Sequence, residues 1–145
     1  MAEIPWKTVT ENVGASFDSI RDIFVHSLQA ERFWIVRLQG KSTEGIYGGE
    51  FSANFPNIDS VKKYSDEVEA ETNAYLAKLS DEKLQSLFEY KVRDGSKKQS
   101  AIEDILMHII EEEIHHRGEI MCIYWQHEIE APYVSYTQYK LQSPP

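Results

Sequence analysis

An apolar seam that turns polar at its centre runs through residues 100–127 and constrains the fold more than any other feature of this sequence. Its members are spaced alternately three and four residues apart, and they are Ile102, Ile105, Ile109, Glu112, His116, Glu119 and Ile123. Such spacing places side chains on one face of an α-helix, and a helix packed against others buries that face. The segment therefore predicts a long helix in an all-α bundle, opened by a capping-box pattern from Ser100 to Glu103.

The polar centre of this seam needs compensation if the helix is packed. Burying an unpaired carboxylate costs several kcal/mol, so these side chains either reach solvent or bind something, such as a metal ion. Glu112 and His116 lie four residues apart on one face, where two side chains can share one ion. His108 and His116 are separated by about 12 Å of helix rise, so they cannot both bind the same ion.

A second polar position lies in the first long helix, which is predicted to begin near Ser16 and to end at Gly40. The apolar residues of this helix cover more than one stripe, which predicts neighbours on two sides. His26 has apolar residues three, four and seven positions away on its own face. A histidine in this setting is usually a hydrogen-bonded core residue, but the polar centre near Glu112 makes a shared metal site the better explanation. Two histidines and one carboxylate suit Zn, Ni, Fe or Mn and leave coordination positions open.

The rest of the sequence predicts one more helix, a hairpin and loops. The connection over 41–58 is long and rich in glycine and aromatic residues, and long connections are often functional. The second helix should start near 59–60 and be followed by a short turn. Alternating apolar residues before Asp94-Gly95 predict a small β-hairpin, and the tail after 128 has no clear period.

Composition and length limit the class of protein. The 145 residues predict a single domain over 1–145. No apolar run approaches the roughly 18 residues of a membrane span, and we expect no membrane partner. The net charge of −9 disfavours nucleic acid as a partner. A single cysteine, Cys122, cannot form an internal disulfide and fits a reducing compartment. We therefore expect a cytoplasmic protein in which Cys122 is a packing residue.

Two sequence motifs resemble those of the DinB/YfiT-like metalloenzymes, a thiol-transferase-like superfamily. The first helix is similar to the family pattern L-x-H-x-x-x-A-E-x-x-W-x-x-R-L-x-G, matched here by His26, Ala30, Glu31, Trp34, Arg37 and Gly40. The last long helix is similar to L-x-H-V-x-N-H-x-x-x-H-R-G-Q, here LMHIIEEEIHHRGE. Together with the hairpin region, the resemblance covers roughly residues 16 to 125.

The resemblance implies an up-and-down helical bundle with one divalent metal ion held by His26, Glu112 and His116. It also implies a small-molecule substrate and thiol chemistry, with a low-molecular-weight thiol as a second cofactor. The sequence departs from the family in having Glu112 where the middle ligand is usually histidine, which shifts metal preference toward harder ions. Glu119 likewise replaces a glutamine. Only about 15 residues precede the first long helix, so the family's N-terminal helix is missing or shortened.

Several other residues are candidates for roles at such a site. His115 and His108 could carry protons, because histidine titrates near neutral pH. Arg37 and Arg117 could recognise a carboxylate-bearing or thiolate-bearing substrate, or they are ordinary surface residues. We interpret Glu111 and Glu113 as a solvated acidic face.

Three alternatives stay open. A dinuclear carboxylate site is disfavoured, because it needs a second E-x-x-H motif on another helix. The aromatic residues Tyr47, Phe51 and Phe55 either line the mouth of a pocket or only tether the loop. The rival to an enzyme is a non-catalytic, stress-linked bundle whose metal is structural or absent.

The assembly is predicted to be a homodimer. Three long helices leave one face of the first helix uncovered, and an exposed apolar patch of that size marks an interaction surface. The dimer should place this helix at the centre of its interface, with Phe17, Ile20 and Phe24 in contact with the partner.

Overall fold

The fold is all-α, with one small β-hairpin. The computed structural model describes residues 4–48 and 50–142, without the side chains of Ser52 and Gln142. The elements follow in the order α1 (Trp6–Thr10), α2 (Ile20–Leu38), α3 (Phe51–Asn54), α4 (Ile58–Leu76), α5 (Asp81–Gln85), β1 (Leu87–Lys91), β2 (Lys97–Ala101), α6 (Ile102–Gln126) and α7 (Tyr136–Gln142). The predicted all-α class, its three long helices and the hairpin before the last of them are confirmed. Among the described residues, no helix combines the length and the apolarity needed to cross a membrane.

The first long helix, α2, is shorter at its N-terminus than predicted. It begins at Ile20, because Ser19 adopts an extended conformation and its side chain accepts a hydrogen bond from the Asp22 N–H at 3.2 Å. Such a cap stabilises a helix by about 1 kcal/mol. Ser16 therefore lies in the non-helical segment before α2. The helix ends as predicted, since Gly40 has a φ of +71°, a left-handed conformation that glycine adopts without steric cost.

The capping box predicted for α6 is wrong. The N-cap residue is Ala101, which makes no side-chain cap. Ser100 belongs to β2, and its hydroxyl lies 3.0 Å from the hydroxyl of Tyr90 on β1. The Ser100 side chain therefore interacts with the neighbouring strand and does not cap α6. A capping box does occur at the start of α4, between Asn57 and Ser60, slightly before the predicted start of that helix.

Three short helices lie in segments that were predicted to lack regular structure, the first of them α3 in the connection before α4. The turn before the hairpin contains α5, whose N-cap Ser80 accepts a hydrogen bond from the Lys83 N–H at 3.2 Å. The C-terminal tail contains α7, whose tyrosines gave no clear apolar period.

The central element of the bundle is α2. At its start, Ile20 and Ile23 pack against Ile123 and Tyr124 of α6, and at its end Leu38 packs near Ile102. Since the start of one helix meets the end of the other, α2 and α6 are antiparallel.

The second neighbour of α2, α4, runs in the same direction as α2. Val25 packs with Val61, whereas Glu31, further along α2, accepts a hydrogen bond from Thr72 at 2.6 Å. The order of the long helices therefore departs from a simple up-and-down bundle at this step. The connection over 39–57 is long enough to return along the roughly 28 Å of a 19-residue helix.

The residues of this region that were predicted to contact a dimer partner pack against segments of the same chain. Ile20 is fully buried, and Phe17 packs beside it in the cluster formed with α1 and α6. Phe24 packs against the cluster around Val25. The short α1 contributes the buried Val9, so segments of the same chain cover the helix on several sides. Dimerisation, with α2 at the centre of the interface, stays a prediction.

The single cysteine is not a packing residue, in contrast to the prediction. Cys122 is exposed on α6, although the neighbouring Ile123 is buried. The seam thus faces α2, while Cys122 lies one position off it.

Candidate metal centre

The antiparallel packing of α2 and α6 brings together the three residues that the sequence grouped. One ligand atom of each of His26, Glu112 and His116 lies within 4.8 Å of one ligand atom of the other two. Glu112 and His116 are one turn apart on α6, and His26 faces them from α2. Whether these residues hold a metal stays a prediction.

His116 is held by carboxylates on both of its ring nitrogens. Its Nε2 atom lies 3.7 Å from Glu112 Oε2, and its Nδ1 atom lies 3.2 Å from Glu119 Oε2. The Nδ1–H can donate to Glu119, which leaves the Nε2 lone pair free on the side of Glu112 and His26. Metal-binding histidines commonly have such a carboxylate on the second nitrogen, which fixes the tautomer and the ring orientation.

The segment before α2 orients the carboxylate of Glu119. The backbone N–H and the hydroxyl of Ser16 each donate to this carboxylate, at 2.7 Å. Burial raises the pKa of Glu119, but the hydrogen bonds from Ser16 and His116 outweigh it and lower the pKa overall. Glu119 is therefore ionised at neutral pH and is a strong acceptor for the His116 ring.

His26 lies between two aromatic rings and the second histidine. Its ring stacks on Phe17 with centroids 4.2 Å apart, and the ring of His116 is 5.1 Å away. Tyr47 approaches from the connection after α2, with its ring centroid 5.9 Å from that of His26. Burial and the nearby His116 lower the pKa of His26, although Glu112 and Glu119 act in the opposite direction. His26 is therefore mostly neutral at pH 7 and does not need to lose a proton to bind a metal.

The donor set fits a divalent metal ion. It offers two imidazole nitrogens and a carboxylate oxygen, which suits Zn, Ni, Fe or Mn. Charge supports the fit, since Glu112 lies between two histidines without a lysine or arginine ion-pair partner among the described residues. A divalent cation would compensate the charge of this carboxylate.

A second group of potential ligands overlaps the first. It consists of His115, His116 and Glu119, whose ligand atoms also lie within 4.8 Å of one another. The hydrogen bonds from Ser16 already occupy the carboxylate of Glu119. The geometry therefore favours Glu119 as the partner that orients His116.

The two predicted proton carriers lie in different surroundings. His115 is exposed, and its ring centroid is 5.0 Å from that of His116. His108 lies 3.8 Å from Glu111 and edge-on to Trp34, at a centroid distance of 6.0 Å. His115 thus adjoins His116, whereas His108 lies one turn from Glu112 and two turns from His116 along α6.

The two arginines predicted to bind a substrate have surroundings that do not include the three grouped residues. The guanidinium of Arg37 lies 5.3 Å from the ring centroids of Phe33, Trp34 and Tyr90, and it donates to the carbonyl of Lys91. These contacts join α2 to the hairpin. Arg117 is exposed and lines a groove that contains none of the three grouped side chains. Substrate binding by either arginine stays a prediction.

The interpretation of Glu113 as part of a solvated face is wrong. This side chain is largely buried beside the same groove, and burial followed by the nearby charge of Glu31 raises its pKa to about 7. By contrast, the side chain of Glu111 is 80% exposed, as predicted. One helical step of 100° separates Glu112 from Glu113 and places them on different faces of α6.

Sequence reasoning did not identify Ser16 or Phe17 as parts of the site. The prediction placed both residues in the first turn of the helix. The strong N-cap Ser19, just after them, was the signal that the helix begins later. The pairing of Tyr47 with His26 left no periodic signal, because irregular connections have none.

Comparisons with known proteins agree with the motifs. No curated protein matches the chain. A model of the DinB family matches residues 1–141, which includes both long motif-bearing helices and the N-terminal segment. The chain therefore belongs to the DinB family.

Proposed function

We propose that this protein is a metal-dependent enzyme that acts on a low-molecular-weight thiol. In this proposal His26, Glu112 and His116 hold one divalent ion, and an electrophilic small molecule is the second substrate. The observation that carries the proposal is the convergence of these three side chains from two helices, within 4.8 Å of one another.

A divalent ion, when bound, lowers the pKa of a thiol or water molecule and makes a nucleophile available at neutral pH. The chain's own residues prepare for this in separate ways. His26 is neutral because of burial, so its ring nitrogen is free to bind. Glu119 orients the ring of His116. The rings of Phe17 and Tyr47 cover His26 and limit the access of water.

The proton released from the thiol requires an acceptor near the site. We assign this role to His115, which is exposed and adjoins His116. His108 is the weaker candidate, because its ring contacts Trp34 and Glu111. Neither arginine is assigned to the substrate, because Arg37 is engaged by three aromatic rings and Arg117 lines a groove without the three ligands.

A hydrolase with the same ligands is the close variant of this proposal. The alternative of another class is a non-catalytic, stress-linked bundle with a structural or absent metal. Glu112 favours this alternative, since an anionic ligand reduces the charge that a metal presents to a substrate. We propose the cytoplasm as the location of either protein, on the basis of its single cysteine.

Metal content and thiol conjugation together test the proposal. Protein purified without chelator should contain about one divalent ion per chain, and His116→Ala should lose it while keeping its helix content. His108→Ala is the matched control, a histidine on the same helix outside the group, and should keep the metal. Full metal occupancy in His116→Ala would refute the assigned ligands.

The enzymatic claim needs a separate measurement. Conjugation of cysteine or glutathione to a generic electrophile such as monochlorobimane should be faster with the metal-loaded protein than with His116→Ala. Equal rates, with metal bound only to the parent protein, would favour the structural alternative. Hydrolysis of an activated ester without thiol turnover would favour the hydrolase.

A further inference from the structure

A cavity lies on a different face of the α2–α6 pair from the candidate metal centre. It is a groove of about 790 Å³ bordered by α2, α4, α6 and the C-terminal segment around Val134 and Tyr136. None of His26, Glu112 and His116 lines it. Its volume lies within the range of about 300–1,000 Å³ that is typical of small-molecule sites.

The walls of this groove are apolar and open to solvent. Leu76 of α4 and Ile110 and Ile114 of α6 are between 42% and 53% exposed, although all three face the same groove. Large apolar side chains gathered on one exposed surface are typical of a binding site. The walls therefore fit an apolar ligand body.

Two carboxylates, those of Glu31 and Glu113, are among the polar groups that line the groove. Glu31 accepts a hydrogen bond from Thr72 at 2.6 Å. The Oε1 atom of Glu113 is buried and has no hydrogen-bond partner within the described part of the chain. Buried polar atoms are normally paired, and Glu113 is one of the residues that line the groove, so its unpaired oxygen calls for a donor.

The charge of the lining selects the kind of donor. Glu31 and Glu113 place two carboxyl groups in the lining, against the single guanidinium group of Arg117, so acidic groups outnumber basic ones. An anionic head group would be repelled, and an apolar molecule without a donor would leave Glu113 Oε1 unpaired. A protonated amine carries a positive charge and three N–H donors.

We propose that this groove binds a small apolar molecule that carries one protonated amine. Its ammonium group meets Glu113 and Glu31, and its hydrocarbon portion packs against Leu76, Ile110 and Ile114. The site is separate from the proposed metal chemistry, and its occupant need not be a substrate.

Three probes of equal chain length test the proposal by calorimetric titration at pH 8. They are octylamine, which is protonated at this pH because alkyl amines titrate near pH 10, 1-octanol and octanoate. We expect octylamine to bind at least tenfold more tightly than 1-octanol, and octanoate to bind more weakly than either. Equal affinities for octylamine and 1-octanol would overturn the assignment of an amine.

Variants locate the binding site. Glu113→Gln keeps the shape of the side chain and should weaken octylamine binding at least tenfold, without changing metal content. Glu111→Gln is the matched control on the exposed face of the same helix and should leave the affinity unchanged. Ile110→Lys places a positive charge in the groove at a half-exposed position, so it should also abolish octylamine binding.

Two results would refute the proposal. One is full octylamine affinity in both Glu113→Gln and Ile110→Lys. The other is the absence of octylamine binding together with a dimer that Ile110→Lys converts to monomers, since the groove would then be an interface between two copies of the chain.

Discussion

The pH dependence of stability should reveal the buried carboxyl group of Glu113. Its pKa is raised from the ordinary value of 4.5 to about 7, mainly by burial. Between these two pH values the folded protein retains a proton that the unfolded chain has released. Stability from this group is therefore full below about pH 4.5 and is lost as the pH rises to about 7. Glu113→Gln cannot ionise, so the variant escapes this loss.

The size of the effect follows from the difference between the two pKa values. Each tenfold change in proton affinity is worth about 1.4 kcal/mol, so a rise from 4.5 to about 7 corresponds to at most about 3.5 kcal/mol. Partial solvent access reduces the penalty. We therefore expect Glu113→Gln to be about 1–3 kcal/mol more stable than the parent protein at pH 8.5, and equally stable within about 0.5 kcal/mol at pH 4.5.

Urea denaturation at a series of pH values, followed by circular dichroism in the presence of a chelator, measures this difference. Other titrating groups are common to both proteins and cancel in the comparison. Glu111→Gln serves as the control, because its side chain is 80% exposed and should change stability little at any pH. A stability difference for Glu113→Gln that is the same at pH 4.5 and pH 8.5 would refute the reasoning.

Three further predictions follow from the metal centre and the long helices. Glu119→Gln should lower the affinity for a divalent metal about 10–100-fold without loss of helix content, as measured by competition with a chelator, because it weakens the partner of His116. Gly118→Ala should raise the free energy of unfolding by about 0.5–1 kcal/mol in urea, since a Cβ there meets nothing within 4 Å and alanine favours a helix. Light scattering coupled to gel filtration should give the mass of a dimer, and a single-chain mass that persists at high concentration would contradict dimerisation.

The parts of the fold that the sequence could predict are those with a period. The three long helices follow from spacings of three and four residues, and the hairpin follows from alternation ending at Asp94-Gly95. The same spacing placed Glu112 and His116 on one face, and the unusual position of His26 among apolar residues suggested their partner. The residues of the candidate metal centre were thus accessible from local pattern.

Other features depended on competition between interactions that local pattern does not describe. Ser100 matched a capping box, but its hydroxyl lies beside Tyr90 in the hairpin instead. Ser16 matched a helix start, yet its backbone N–H and its hydroxyl donate hydrogen bonds to Glu119, which is 103 positions away in the chain. In both cases a tertiary partner replaced the local one.

The parallel direction of α2 and α4 was also beyond local pattern. The connection over 39–57 is long enough for either direction, so its length alone could not decide. The direction is evident only from tertiary contacts, such as those of Val25 with Val61 and of Glu31 with Thr72. Sequence periodicity identifies which face of a helix is buried, but not the direction of its neighbour.

The polar centre of the seam forms one charged cluster around His116 on α6. Glu112 and Glu119 surround His116 and together supply two negative charges, while His26 remains neutral. A divalent cation would balance these two negative charges. With the neutral histidine and glutamine that the family resemblance predicts at these positions, the charge of the cation would stay uncompensated. A neutral site is less costly to bury, but it presents less positive charge to a thiol. We therefore expect the two carboxylates to strengthen metal retention and to weaken the electrostatic activation of a substrate.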